Sequence, residues 1–178
     1  AEAFTELKEE LGDISGREEE REVFINDCSI DSDLEILIPE EYINITSEKI
    51  RLYKELDNVK DERELTAFTR EIEDRFGPLP EPVKQLVDVV RLRWLAIECG
   101  IEKIVLKGGV MLAYFVNNST SRYYKSRTFA SILSYLQTRS GRYSLKEQGG
   151  KLYLRIESVK STQKAYEIMV EIKNSSAG

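Results

Sequence analysis

The chain has 178 residues, 41% of them hydrophobic, which suffices for one sizeable core, and no apolar run reaches the ~18–20 residues of a membrane helix. It contains no histidine, which excludes Ser-His-Asp and Cys-His catalysis and the common zinc ligand sets. The net charge of −6 hides two unlike halves: residues 1–100 hold 13 Lys and Arg against 27 Asp and Glu, whereas residues 101–178 hold 13 against 5. The basic half either packs against the acidic one or presents an exposed basic face, and both arrangements fit the sequence.

The first 38 residues change from helical to extended character. Residues 1–22 are predicted to be a charged helix and linker, with a short apolar stripe followed by two glycines and the run R-E-E-E-R-E. Residues 23–38 contain β-forming and alternating apolar residues, which predict a strand that ends at Pro39.

Side chains in this region invite a metal or redox interpretation. Asp31, Asp33 and Glu35 lack the Gly turn and the twelfth-position Glu of a calcium-binding loop, so no metal site is predicted. Cys28 and Cys99 are far apart and form no C-x-x-C motif. Two buried free thiols, no cofactor and a reducing cytoplasm are therefore expected.

Three helices are predicted next. Ser47 is predicted to cap the first, which runs to about Leu56. The second begins at an N-cap, Asp61, and ends at Gly77, because glycine readily adopts a left-handed terminal conformation and Pro78 follows it. The apolar stripe of this second helix is Leu65, Phe68, Ile72 and Phe76. After a proline elbow, an apolar third helix is predicted to end near Gly100 and to be the most buried of the three.

The remainder of the chain predicts two hairpins and two helices. The hairpins turn at Gly108–Gly109 and Gly149–Gly150, because paired glycines permit the positive φ angles of a tight turn. A helix over residues 126–138 separates them and another over 161–172 closes the chain. The predicted fold class is therefore α+β, with an acidic helical half packed with a small antiparallel sheet of Gly-Gly hairpins.

One charged patch lies on the outer face of the second helix. Glu71, Asp74 and Arg75 stand at positions i, i+3 and i+4, so their side chains are neighbours. Taken alone, the spacing predicts a Glu71–Arg75 surface ion pair worth a few tenths of a kcal/mol.

The surrounding motif gives the patch a second interpretation. The run E-I-E-D-R-F-G-P-L-P, preceded by R-L-Y-K-E-L and I-P-E-E-Y-I, resembles the C-terminal domain of the bacterial transcription-repair coupling factor over about Asp31 to Val116. The resemblance implies that residues 23–178 are a non-catalytic regulatory domain. It also implies that residues 1–22 are the tail of the preceding module of a large ATP-driven DNA translocase.

The resemblance also implies a docking role. In this family the domain docks on an N-terminal module related to a nucleotide-excision-repair protein and hides the surface that recruits UvrA, which holds the protein autoinhibited. The docking residues correspond to Glu71, Asp74 and Arg75, and RNA polymerase is implied as an indirect partner.

Two other functions fit the sequence. A nucleic-acid-binding accessory domain would use a segment, residues 122–143, in which basic residues alternate with aromatic ones. These residues are Arg122, Tyr123, Tyr124, Lys125, Arg127, Arg139, Arg142 and Tyr143. The third possibility is a purely structural terminal cap, in which the charged patch could be replaced without effect on any partner.

Overall fold

The fold joins a helical part to a five-stranded sheet. The computed structural model describes residues 23–139 and 141–176, so the helix predicted over residues 1–22 lies outside the described residues. The helices are α1 (Thr46–Asp57), α2 (Glu62–Phe76), α3 (Glu81–Glu98), α4 (Arg127–Gln137) and α5 (Thr162–Ser176), with a 3-10 turn at Arg122–Lys125. The strands are β1 (Ser29–Ser32), β2 (Ile101–Lys107), β3 (Val110–Phe115), β4 (Tyr143–Gln148) and β5 (Lys151–Ile156).

Both Gly-Gly hairpins are confirmed. Gly108 and Gly109 have φ angles of +60° and +73°, and Gly149 and Gly150 have +59° and +77°, a pair of conformations that suits a two-residue turn between twisted strands. The strand order is β1-β2-β3-β5-β4. The hairpins therefore meet through their second strands, β3 and β5, which pair antiparallel.

The predicted α+β fold class is confirmed. One strand pairing was not predicted: β1 lies parallel to β2, with Ile30 opposite Ile104. The expected strand ending at Pro39 was wrong in length, since β1 stops at Ser32. Asp33 explains the early end: its N–H donates to Leu106 O (3.1 Å), and its carboxylate accepts from the Gly108 N–H (2.9 Å). These bonds complete the pairing and fasten the chain to the first hairpin turn.

Both predicted ends of α2 are confirmed. The Asp61 carboxylate accepts from the Glu64 N–H (2.8 Å), and Gly77 ends α2 with a φ angle of +94°. The predicted cap at Ser47 was wrong. The first helical bond of α1 runs from the Lys49 N–H to Ile45 O, which makes Ile45 the N-cap residue, and Ile45 forms no side-chain capping bond.

Two hydrophobic cores form, and α3 contributes to both. One core lies among the helices and consists of Ile38, Ile43, Leu52, Leu56, Leu65, Phe68, Ile72, Val83, Val87 and Val90. The other lies between one face of the sheet and α3, α4 and α5, and its α3 members are Leu92 and Ala96. The N-terminal turns of α3 therefore pack in the helical core, whereas its C-terminal turns pack on the sheet. Trp94 is partly buried against the helical core.

Polar contacts also fix α3 to its neighbours. The Thr162 N–H donates to Gln85 Oε1 (2.9 Å) and the Thr162 hydroxyl donates to Gln85 O (3.1 Å), so the start of α5 is bonded to α3. Arg91 forms an ion pair with Glu62 on α2 (2.7 Å). Thr162 is completely buried, so its bonds to Gln85 satisfy polar groups that cannot reach water.

The junction between α3 and β2 yields the first testable prediction. Gly100 has a φ angle of +74°, and a Cβ atom there would lie 2.1 Å from Cε1 of the buried Tyr123 ring. We expect Gly100→Ala to lower the free energy of unfolding by about 2–5 kcal/mol, because backbone strain and overpacking add. Urea unfolding followed by circular dichroism measures this change.

Gly108→Ala is the matched control. Gly108 also has a positive φ angle, but a Cβ atom added there would have no heavy atom within 4 Å beyond its chain neighbours. Only the backbone cost of about 1–2 kcal/mol applies at this position. Equal losses in the two variants would show that the Tyr123 ring exerts no steric restraint on Gly100.

Candidate functional site

The charged patch sits on the last turns of α2, which the fold holds in place. The buried side chain of Ile72 points into the helical core, and Phe76 packs at its edge. The Tyr42 hydroxyl donates to Gly77 O (2.6 Å), which fixes the chain where the helix ends. These contacts turn Glu71 and Asp74 toward solvent.

The main partner of Arg75 is on another helix. Its Nη1 lies 2.7 Å from Oε1 of Glu48 on α1, but 3.9 Å from Oε1 of Glu71. The guanidinium carbon is 4.9 Å from the centre of the Phe76 ring. The predicted Glu71–Arg75 pair is thus present at the outer limit of an ion pair, whereas the short contact ties α2 to α1.

Glu48 is the member of this site that sequence reasoning missed. Its Oε1 also accepts from Arg51 Nη2 (2.6 Å), so one carboxylate serves two arginines. Arg51 contacts Glu55 Oε2 as well (3.2 Å). Hydrogen bonds from Arg51, followed by Arg75, hold the pKa of Glu48 below its usual value, although desolvation acts in the opposite direction. The i, i+3 spacing of Glu48 and Arg51 predicts their pairing, but no local pattern predicts that Arg75 joins them.

Asp74 differs from its neighbours. Its side chain is exposed, and among the described residues no hydrogen bond or ion pair engages its carboxylate. The Glu71 side chain is 47% exposed, lies 3.9 Å from Arg75 and also interacts electrostatically with Arg51. The patch therefore presents two carboxylates that can accept charge-assisted hydrogen bonds, beside an arginine whose position is fixed by Glu48.

The aromatic residues of the 122–143 segment are used in packing. Tyr123 is completely buried and its hydroxyl donates to Cys99 O (2.6 Å). The Tyr124 hydroxyl donates to Val116 O. The partly buried Tyr143 ring meets Tyr135 edge-on at 5.7 Å. All three tyrosines therefore have structural contacts, and Tyr123 is withheld from any ligand by burial.

The arginines of that segment also make internal contacts. Arg142 donates to Glu157 O and Ser158 O, both at 2.8 Å. The Arg139 guanidinium lies 5.0 Å from the centre of the Tyr135 ring. The segment thus holds the end of α4 against the second hairpin, which is a structural role.

The side chains considered for metal or redox chemistry also have structural partners. Asp31 pairs with Lys107 (3.0 Å) and Asp33 binds the first hairpin turn. Cys28 and Cys99 are buried free thiols, as predicted, and burial raises the pKa of each to about 12. Within the described ranges, no group of three or more Cys, Asp or Glu side chains is placed to hold a metal ion. Nor does any helix there have the length and apolar character needed to cross a membrane.

Comparison with known proteins assigns the family. A family model described as the TRCF domain matches residues 32–126, which is more than half of the chain. The chain belongs to the TRCF domain family. The matched range includes the whole charged patch and ends at the 3-10 turn, so the TRCF assignment rests on the helical part and the first hairpin.

Individual relatives agree with the TRCF assignment. The chain is 39% identical over 77 residues to the transcription-repair-coupling factor of Escherichia coli strain K12, a match that covers 42% of this chain and 7% of that protein. It is 27% identical over 128 residues to the Rickettsia bellii factor, covering 71% of this chain and 11% of the relative. The chain thus spans about a tenth of the length of these curated relatives.

A solved structure supports the TRCF fold beyond the matched range. The crystal structure of a C-terminal domain of transcription-repair coupling factor has a TM-score of 0.63 to this chain, covering 85% of this chain and 98% of that one. The sequence identity is 17%, so the likeness concerns the fold alone. The predicted resemblance to this domain is confirmed.

The Glu48 network yields a prediction of pH dependence. Because its folded-state pKa lies below the usual 4.5, the network stabilises the fold fully above that pH and less as the pH falls through the folded-state pKa. We therefore expect Glu48→Gln to lower the urea midpoint at pH 7 and to differ less from the wild type at pH 3. Urea unfolding at several pH values measures the gap.

Glu41→Gln serves as the control, because Glu41 is exposed and has no ion pair among the described residues. We expect no pH-dependent gap in that variant. A gap for Glu48→Gln that stays constant from pH 7 to pH 3 would contradict the assigned role of its charge.

Proposed function

We propose that this domain is a non-catalytic regulatory module of a transcription-repair coupling factor. In the parent protein, a cytoplasmic bacterial ATP-driven DNA translocase, it docks on the N-terminal repair-related module. Docking covers the surface that binds UvrA and holds the protein autoinhibited until it is released. The observation that carries the proposal is the exposed Asp74 carboxylate, which has no partner among the described residues and sits on a helix end fixed by the core.

The patch has the chemistry of a protein-docking surface. Asp74 and Glu71 lie one turn apart, so they can accept charge-assisted hydrogen bonds from arginines of one partner surface. Both carboxylates belong to a helix whose other face is buried, so little backbone entropy is lost when a partner binds. The domain membership and the shared fold support placing this surface at the interface with another module of the parent.

Arg75 has a different role in this proposal. Its guanidinium is already held by Glu48 at 2.7 Å, and one oxygen of Glu48 serves both Arg51 and Arg75. Arg75 therefore keeps a defined position, and its remaining N–H groups can donate to an acceptor on the partner. It also balances the two carboxylates, which reduces their mutual repulsion before docking.

Release requires only a modest change in free energy. A closed state favoured by a few kcal/mol is opened by any ligand that binds the open parent more tightly by that amount. Nucleic acid, nucleotide and RNA polymerase are the proposed competitors. The regulatory module itself needs no chemistry beyond reversible docking.

The proposal predicts a loss of affinity in an Asp74→Ala, Arg75→Ala double variant. Removing one partner of a buried interfacial charge pair costs about 2–5 kcal/mol, which corresponds to a Kd weakened about 30-fold or more. Isothermal titration calorimetry of this chain against the N-terminal module of its parent measures that change.

An Asp57→Ala, Arg63→Ala variant is the matched control. It removes the same charges from exposed positions, and Arg63 lies twelve residues before Arg75 on α2, roughly 18 Å along the helix axis. We expect it to bind like the wild type. Equal Kd values for both double variants would place the interface elsewhere, and a wild-type chain that does not bind would favour the structural-cap interpretation.

A further inference from the structure

The sheet face that no described helix covers carries a second charged surface, which the docking proposal does not use. Helices cover the other face, where Ile104, Met111, Ala113, Leu154 and Ile156 are buried. Side chains alternate along each strand, so the residues between these point away from the helices. The outward set on the four antiparallel strands consists of Lys103, Val105, Lys107, Val110, Leu112, Tyr114, Lys151, Tyr153, Arg155, Ser144, Lys146 and Gln148.

One row of side chains across this face combines lysines with tyrosine rings. The strand registers place Lys103 opposite Tyr114, Tyr114 opposite Tyr153, and Tyr153 opposite Lys146. Residues that face each other in paired strands share one side of the sheet. The row therefore reads Lys, Tyr, Tyr, Lys, and it spans three strand spacings, or roughly 14 Å.

The two tyrosine rings lie next to each other. Their ring centres are 5.1 Å apart with an interplanar angle of 33°, and both rings are only partly buried. The Lys103 ammonium lies 6.0 Å from the centre of the Tyr114 ring. A shallow cavity adjoins the pair and is lined by Gln148, Lys151 and residues of β2 and β3. Tyr114 and Tyr153 thus differ in exposure from Tyr123, which is buried in the core.

The described residues leave much of the positive charge on this face uncompensated. Lys107 pairs with Asp31 (3.0 Å) and Arg155 pairs with Glu157 (2.7 Å). The three remaining cations, Lys103, Lys146 and Lys151, are exposed and form no ion pair with any described residue. One carboxylate, Glu102, lines the cavity beside them. The local balance favours an anionic ligand, even though the whole chain carries a net charge of −6.

We infer that this sheet face, named here the tyrosine platform (Tyr114 and Tyr153 with Lys103, Lys146 and Lys151), binds single-stranded nucleic acid. Partly exposed rings on adjacent central strands offer aromatic surface on which unpaired bases stack, and flanking lysines contact the phosphates. A duplex would not suit it, because paired bases cannot reach the rings. The inference keeps the nucleic-acid alternative raised from the sequence but moves it from residues 122–143 to the sheet.

The test is fluorescence anisotropy with labelled dT12 and U12 oligonucleotides and the 178-residue chain at 50 mM salt. We expect a Kd of roughly 1–100 µM that weakens steeply with added salt. Binding of either strand supports the inference, and the ratio of the two Kd values distinguishes DNA from RNA as the ligand. An unchanged anisotropy for both strands at 500 µM protein would overturn it.

Aromatic variants test the stacking. We expect Tyr114→Leu, Tyr153→Leu to bind about tenfold or more weakly, because the π-faces are lost. Tyr114→Phe, Tyr153→Phe retains both rings, so it is expected to bind within about twofold of the wild type. Circular dichroism checks that each variant is folded, and the Phe variant stays informative if the Leu variant is not. Equal binding by folded Leu and wild-type proteins, or loss of binding in a folded Phe variant, would overturn the platform.

Charge variants test the lysines independently. Replacing Lys103, Lys146 and Lys151 by Gln should reduce the slope of log Kobs against log salt by about 2, since each phosphate contact contributes about 0.7 for single strands. The control replaces three exposed lysines of the helical part, Lys54, Lys60 and Lys84, by Gln, which changes the net charge equally. Equal slopes in the two triple variants would contradict the inference. Displacement of the oligonucleotide by polyglutamate at equal charge concentration would also contradict the inference, because an acidic polypeptide would then bind as well as a nucleic acid.

Discussion

The structure depends on one helix, α3, that serves two cores at once. Val83, Val87 and Val90 complete the helical core, while Leu92 and Ala96 lie against the sheet. Because the same 18-residue helix packs in both cores, the patch on α2 and the tyrosine platform keep fixed positions relative to α3. The helical core orients one charged surface and the sheet core orients the other, so opposite charges are displayed on different parts of one domain.

Much of the fold could be predicted from short-range features of the sequence. The Asp61 cap, the Gly77 stop and both Gly-Gly turns follow from side-chain hydrogen bonding and permitted φ angles, which depend on neighbouring residues alone. The strand expected to reach Pro39 failed for a different reason. Its alternating residues are compatible with pairing, but only Ser29–Ser32 find a partner, in a strand more than 70 residues later. Strand length here is set by tertiary structure and by the bonds that Asp33 makes.

The candidate site was also predictable only where it depends on residues close together in the sequence. Helical spacing placed Glu71, Asp74 and Arg75 on one face, but it could not show that Glu48 binds Arg75, because that contact joins separate helices. Alternating basic and aromatic residues in the 122–143 segment suggested a nucleic-acid surface, yet the fold buries Tyr123. Burial is decided by packing against distant elements, which periodicity in a single segment does not report.

The outer strand β4 limits how the sheet can associate. It forms one edge of the sheet, and its Lys146, Glu147 and Gln148 are exposed to solvent. A further strand added at this edge would have to desolvate charged and amide groups on both faces, which is unfavourable. Lysines on edge strands commonly disfavour such pairing. The opposite edge, β1, offers only four residues. Both borders are therefore poor templates for the addition of a further strand.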